Sequence, residues 1–200
     1  MRIIEIILLP LLLFSGYEDV KKRMINTLPY LALDLAILGI FLYYNPILSL
    51  FAIPLILEYF LKRYSYVTYF LLIVPVSVSP SILTVSIAYS ISLIKVFSLL
   101  VRNFGTGDLK VLQAIAISFP LYLNLPALDS LFPPVLAVML IASISGAIAG
   151  TINSKRRTFG EVDQTRYWMV RGKRRYKIPF VAFISGGYVV LLILSLLRVA

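Results

Sequence analysis

The chain contains no cysteine and no histidine, and only nine of its 200 residues are acidic. Without Cys there are no disulfides and no thiol nucleophile. Without His as well, Ser-His-Asp catalysis and zinc sites built on either ligand are excluded. Any bond-breaking chemistry must rest on Asp, Glu, Ser, Lys, Tyr or backbone groups, and neither a metal nor a cofactor is expected. Charge is scarce altogether, at 14% of residues, against 60% hydrophobic residues and a mean hydropathy of +0.93. A soluble domain of this size cannot hide that much apolar surface. The expectation is an all-α, polytopic helical membrane protein, with a single transmembrane domain over residues 1–200.

Apolar runs recur at lengths near the roughly 20 residues that carry a helix across about 30 Å of hydrocarbon. Eight spans are predicted, over 2–18, 27–44, 46–61, 66–80, 81–101, 109–128, 131–152 and 179–198, with six or seven as the alternative count. The fourth is short and interrupted by Pro75 and Pro80, which points to a re-entrant or strongly tilted piece. No cleavable signal peptide is expected, because the first run lacks a small-residue exit and leads straight into "YEDVKKR".

The net charge of +10 is a topology signal rather than a nucleic-acid footprint, since the basic residues lie between apolar runs. With the N-terminus outside, one set of loops holds every one of the 19 basic residues except Arg2, Lys95 and Arg198. The positive-inside rule makes those loops cytoplasmic. The only sizeable soluble segment is the basic loop 153–178, with aromatics among its charges. Its simplest reading is a solvated loop against anionic lipid headgroups, with substrate contact as the competing role and no nucleic acid as partner. Ala142, Gly146 and Gly150 form a small-residue stripe suited to close helix packing, and Gly186 and Gly187 offer another. Glu58 and Lys62 read as a surface i,i+4 pair.

Three acids and one lysine need an explanation. Asp34 and Lys95 fall inside predicted spans, where an unpaired charge costs several kcal/mol, so they should pair with each other or join a polar cluster. The functional alternative for them is a proton or ion pathway. Asp19 leaves the first span and Asp108 enters the sixth, both at predicted cytoplasmic ends. Taken singly, Asp19 is an ordinary loop acid and Asp108 a helix cap. The stretch "GTGDLK" argues for more, because Gly105 and Gly107 allow a sharp turn and close approach beside the acid. Two aspartates sharing a proton act as base and acid on an amide, one activating water and the other protonating the leaving nitrogen. That chemistry uses only what the inventory supplies.

At these residues the chain resembles the GxGD-type membrane aspartic proteases, and most closely the archaeal type IV prepilin and preflagellin (prearchaellin) peptidases. Gly105, Gly107, Asp108, Lys110 and Ala114 are similar to that family's G-x-G-D-x-K-x3-A motif. Asp19 to Asn26, "DVKKRMIN", is similar to its first motif, an Asp, a basic stretch and an Ile–Asn turn. The proline that bacterial relatives place in that turn is absent here. The bacterial Cys-rich segment cannot be present without cysteine, so the protease-only type is implied.

The resemblance implies Asp19 and Asp108 as catalytic residues, with Gly105, Gly107, Lys110 and Asn26 in support. It implies pilin-like and archaellin precursors as partners, cut between a short basic leader and the hydrophobic segment, at the cytoplasmic face of the cell membrane. Glu18 is a candidate contact to the leader's positive charge, with a plain loop acid as the alternative. The competing readings are a transporter or channel built on Asp34 and Lys95, a non-catalytic membrane scaffold, and intramembrane proteolysis of the presenilin kind. Oligomeric state is open.

Overall fold

The computed structural model describes residues 3–22, 24–61, 65–100, 104–118, 134–155, 167–170, 173–176 and 178–199. These are helices in all but the connectors and one short hairpin. Helix α1 (Ile3–Lys22) closes on Lys21 and Lys22, cations that suit the negative end of a helix. Its connector turns back at Asn26, whose Oδ1 accepts the Leu28 N–H at 3.0 Å, and Pro29 starts α2 (Leu28–Tyr44).

The turn between the second and third predicted spans is built from Asn45, whose backbone is extended at φ −157° and ψ 93°. Its N–H returns to the Phe41 carbonyl at 2.7 Å, while its side chain accepts the Ile47 N–H at 3.2 Å. Two helices follow, α3 (Pro46–Ser49) and α4 (Ala52–Phe60). The Pro-broken fourth run is divided into α5 (Ser65–Thr68), a 3₁₀ turn (Tyr69–Leu72) and α6 (Ile73–Val78). Fourteen such residues would span about 20 Å even if fully α-helical, well short of the hydrocarbon thickness.

Helix α7 (Ile82–Leu100) opens on a reciprocal cap. The Ser81 N–H donates to Thr84 Oγ1 at 3.0 Å and the Thr84 N–H to Ser81 Oγ at 3.1 Å, which satisfies two amides that a helix start leaves free. Helix α8 (Thr106–Ser118) is buried at every position from Leu109 to Ser118. Helix α9 (Pro134–Lys155) packs against α10 (Phe180–Val199), and α10 against α1. Helices α1, α2, α7, α9 and α10 all touch α8, so α8 is the axis of the bundle.

The small residues sit where helices cross. A Cβ at Gly16 would lie 3.3 Å from the Ala182 backbone, and one at Gly187 would lie 3.4 Å from the Val138 carbonyl. Gly146 and Gly150 pack on Ile178, whereas Gly186 faces open space. Within the predicted basic loop, β1 (Tyr167–Val170) and β2 (Lys173–Tyr176) form an antiparallel hairpin. The first residues of that loop, 153–155, continue α9; residues 156–166, 171–172 and 177 lie outside the described residues, as does the run from 119 to 133.

The count of eight spans is not reproduced by helix length. Among the described residues, Ile82–Leu100 and Val135–Ile152 are long and apolar enough to cross a membrane. Leu28–Tyr44, Pro46–Phe60, Tyr66–Val78 and Phe180–Leu194 are apolar but shorter. Only 33% and 28% of the two long helices is buried within the fold, whereas the core helix of a soluble protein is mostly covered. Leu99, Leu100, Ile144 and Ile148 are among the large apolar side chains left on the outer surface.

Candidate active site

Asp19 lies one turn before the end of α1, and Asp108 lies in the first turn of α8. The fold brings these ends together with the start of α10. Asp19 is buried, at 7% exposure, and its Oδ2 accepts the Val181 N–H at 2.9 Å. Val181 is in the first turn of α10, where amide N–H groups have no partner inside the helix.

Asp108 occupies the third helical position of α8 and reaches back to the residue before the helix. Its Oδ2 accepts the Gly105 N–H at 3.1 Å, while the Gly105 carbonyl accepts from Leu109 at 3.1 Å. This is the acid half of a capping box, so the cap expected of Asp108 exists but is made from inside the helix. Burial pushes the Asp108 carboxyl up to about 6; the Gly105 N–H opposes that shift and the neighbouring charge of Asp19 adds to it. The two carboxyls therefore feel each other.

Each glycine of the motif has a different contact. A Cβ at Gly105 would stand 2.9 Å from Asp108 Oδ2, so only glycine lets the carboxylate fold back over residue 105. A Cβ at Gly107 would stand 3.1 Å from Ile25. Gly107 thus admits the α1–α2 connector onto the first turn of α8, and the "DVKKRMIN" and "GTGD" stretches meet through that contact.

The supporting residues divide between this site and a second cluster. Asn26 shapes the connector. Glu18 is held by Lys22 one turn on, at 2.9 Å, so a leader cation would have to compete with that pair. Lys110 points away from Asp108. It is buried, donates to Glu58 Oε2 at 2.7 Å and to the Leu55 carbonyl at 3.1 Å, and lies 4.0 Å from the centre of the Tyr59 ring.

Glu58 is the centre of that cluster and departs from the surface pair expected of it. It is 8% exposed, forms an ion pair with Lys95 as well as Lys110, and accepts from Tyr69 at 2.9 Å and Gln113 at 3.0 Å. Tyr69 and Gln113 are also bonded to each other. Lys62, its expected partner, lies outside the described residues. Asp34 is buried at 3% exposure, in the field of Lys110 and Glu58. Of the two alternatives for Asp34 and Lys95, the polar cluster is what forms, and Lys95 is paired with Glu58. Sequence reasoning missed Glu58, although Phe51, Leu55 and Glu58 follow the i, i+4, i+7 spacing of one helix face.

Among the described residues no group of three or more acids could hold a metal ion. Compared with models of protein families, with curated proteins and with solved structures, the chain matches none.

Proposed function

We propose that the protein is a membrane aspartic endopeptidase that removes short basic leader peptides from pilin-like and archaellin precursors. The observation that carries this reading is the pair Asp19–Asp108, brought to one end of the bundle with the charge of one acting on the other, in a chain without thiol or imidazole. The resemblance of "DVKKRMIN" and "GTGDLK" to the two motifs of the archaeal prepilin peptidases supports it independently.

In this reading the chain crosses the cell membrane several times, eight by the hydropathy pattern, with the dyad at the cytoplasmic face. The exposed apolar helix faces and the one-sided placement of Lys and Arg support that orientation. A precursor would approach with its hydrophobic segment in the bilayer and its basic leader in the cytoplasm. The scissile amide would then lie level with the two acids.

Hydrolysis proceeds with one carboxyl ionised and one protonated. The carboxylate takes a proton from water as the water oxygen bonds to the amide carbon. The carboxylic acid gives its proton to the amide nitrogen as the C–N bond breaks. The dyad ends with its proton exchanged between the two sites and resets through solvent.

Expression with a basic-leader pilin-like precursor tests the proposal through the mobility shift on cleavage. Asp19→Asn and Asp108→Asn each lower processing by about 10²-fold or more, with helical content unchanged. Processing that survives both changes removes the dyad.

The buried cluster of Glu58, Lys95, Lys110 and Asp34 favours a second reading, transport of an ion or proton. Against it, Glu58 is already engaged by Lys95, Lys110, Tyr69 and Gln113. If Asp34→Asn alone abolished cleavage in a folded protein, a different acid would carry the reaction.

A further inference from the structure

Each acid accepts an N–H from a residue that directly follows a phenylalanine. The Val181 N–H bonded to Asp19 follows Phe180, the first residue of α10. The Gly105 N–H bonded to Asp108 follows Phe104, in the connector between α7 and α8. The two rings meet edge to face, with centroids 6.0 Å apart and planes at 71°. Phe97 of α7 backs Phe104 in the same manner, at 5.5 Å and 88°. All three rings are half-buried and pack against the core.

A continuous path therefore runs from one carboxyl to the other, through the Val181 N–H, Phe180, Phe104 and the Gly105 N–H. We propose that the Phe104–Phe180 contact sets the separation of the two carboxyls, which makes both phenylalanines positioning residues for the dyad. This rests on the peptidase reading and deepens it. Asp19 interacts with more than the Val181 N–H, yet that bond couples its carboxyl to the start of α10.

The chemistry of the dyad asks for such a tie. Its acids come from two different helices, α1 and α8, and two carboxylates brought together repel. A cation placed between them would hold the pair but would remove the repulsion that keeps one proton shared. An apolar clasp holds the helix ends without entering the proton balance. Aromatic pairs suit the task because their edge-to-face geometry is favourable only over a limited range, with centroids about 4.5–7 Å apart. The contact of Gly107 with Ile25 joins α8 to the α1–α2 connector, and the two rings join it to α10.

Two measurements test this. The first is a double-mutant cycle on kcat for cleavage of a purified precursor, with Phe104→Ala, Phe180→Ala and both together. Each single change should lower kcat by about 10²-fold, the effect of misplacing a reacting group by about 1 Å, with KM little changed. The double variant should fall little further, because the same contact is already lost. Singles without effect on kcat, or a double variant showing the product of the single effects, overturn the proposal, since rings that merely fill space act independently. If an alanine variant does not fold, Phe104→Leu and Phe180→Leu replace the pair, with the same expectation of non-additivity.

The second is an infrared titration in detergent, which needs no substrate. The protonated-carboxyl band of Asp108, identified by its loss in Asp108→Asn, is expected to titrate at about 6. Replacing a phenylalanine adds and removes no charge. In Phe180→Ala the like-charged pair is free to separate, so the band moves to lower pH. In an Asp19→Asn background the same substitution leaves it in place, since the charge it acted through is gone. A shift that persists in that background reports lost packing around Asp108 and overturns the proposal, as does an unmoved band in Phe180→Ala itself. If the wild type cleaves no precursor, the peptidase reading fails, while the infrared series still decides whether the rings set the spacing of the acids.

Discussion

Replacing Gly105 by alanine tests the site at its tightest contact. The added methyl would stand 2.9 Å from Asp108 Oδ2, where ordinary contact begins near 3.4 Å. A carboxylate at the end of a side chain yields by rotating, so the helix need not move. The rotation breaks the Gly105 N–H bond, now 3.1 Å long, and carries the acid roughly 1 Å from its position. Misplacement on that scale costs a reacting group about 10²-fold in rate. Folding should change by only about 1 kcal/mol, the usual size of a lost helix-cap interaction.

The pH profile separates this from general damage. The Gly105 N–H is what holds the Asp108 carboxyl down against burial. Without it the acid keeps its proton to higher pH, and the alkaline limb moves up. The assay is initial-rate cleavage of a purified precursor across pH 5 to 9, with unfolding followed in parallel. A Gly105→Ala enzyme that cleaves at the wild-type rate with an unmoved alkaline limb would refute the reasoning. Glycine would then serve the turn and not the acid.

Further predictions follow from other contacts. Glu58→Ala strands two buried ammonium groups and should destabilise the fold by about 3–5 kcal/mol in denaturant titration, whereas replacing Glu58, Lys95 and Lys110 together by apolar residues should recover most of that loss. Asp108 titrates higher folded than unfolded, so its contribution to stability is greatest below about pH 4 and is lost as pH rises through about 6. Asp108→Asn should therefore be more stable than wild type at pH 7.5, by on the order of 1 kcal/mol after solvent screening, with the difference reduced near pH 4. Glu18→Ala should raise KM for a basic leader without changing kcat if Glu18 releases Lys22 to meet the leader; an unchanged KM leaves Glu18 a partner of Lys22 alone.

Several of these features could be read before any fold was available, and the reasons differ. Asp19 and Asp108 stand out because acids are few and because each sits where an apolar run meets a basic loop. That is a one-dimensional signal. The contact through which Gly107 joins the two motifs is not, since nothing in "GTGD" names Ile25. The bond from Val181 to Asp19 joins residues 162 apart, and no local pattern encodes such a pairing. Glu58 was hidden for another reason. Its neighbour at i+4, Lys62, supplied a ready local partner, while its true partners Lys95 and Lys110 come from two helices that follow later in the chain. The predicted spans illustrate a third limit. Hydropathy detects apolar runs, but whether a run forms one rod depends on prolines and turns, as in the segment from Ser65 to Val78.

Among the described residues, buried charge gathers in two places with opposite logic. Around Glu58, two lysines pair with one acid while Asp34 lies in the field of Lys110 and Glu58, and Tyr69 and Gln113 donate to the Glu58 carboxylate. The best-attested use of such a buried ionic cluster is to fix how helices register against one another. At Asp19 and Asp108 two acids share one end of the bundle, and backbone N–H groups supply part of the compensation. That arrangement leaves like charges opposed, which is a poor way to stabilise a fold and a good way to keep one proton available. Helix α8 belongs to both, with Lys110 locked into the first cluster two residues after Asp108 enters the second. The bonds of Lys110 to Glu58 and to the Leu55 carbonyl thereby tie the helix that presents the acid to α4. Changes at Glu58 should accordingly reach cleavage through the placement of Asp108, even though Glu58 touches no reacting atom.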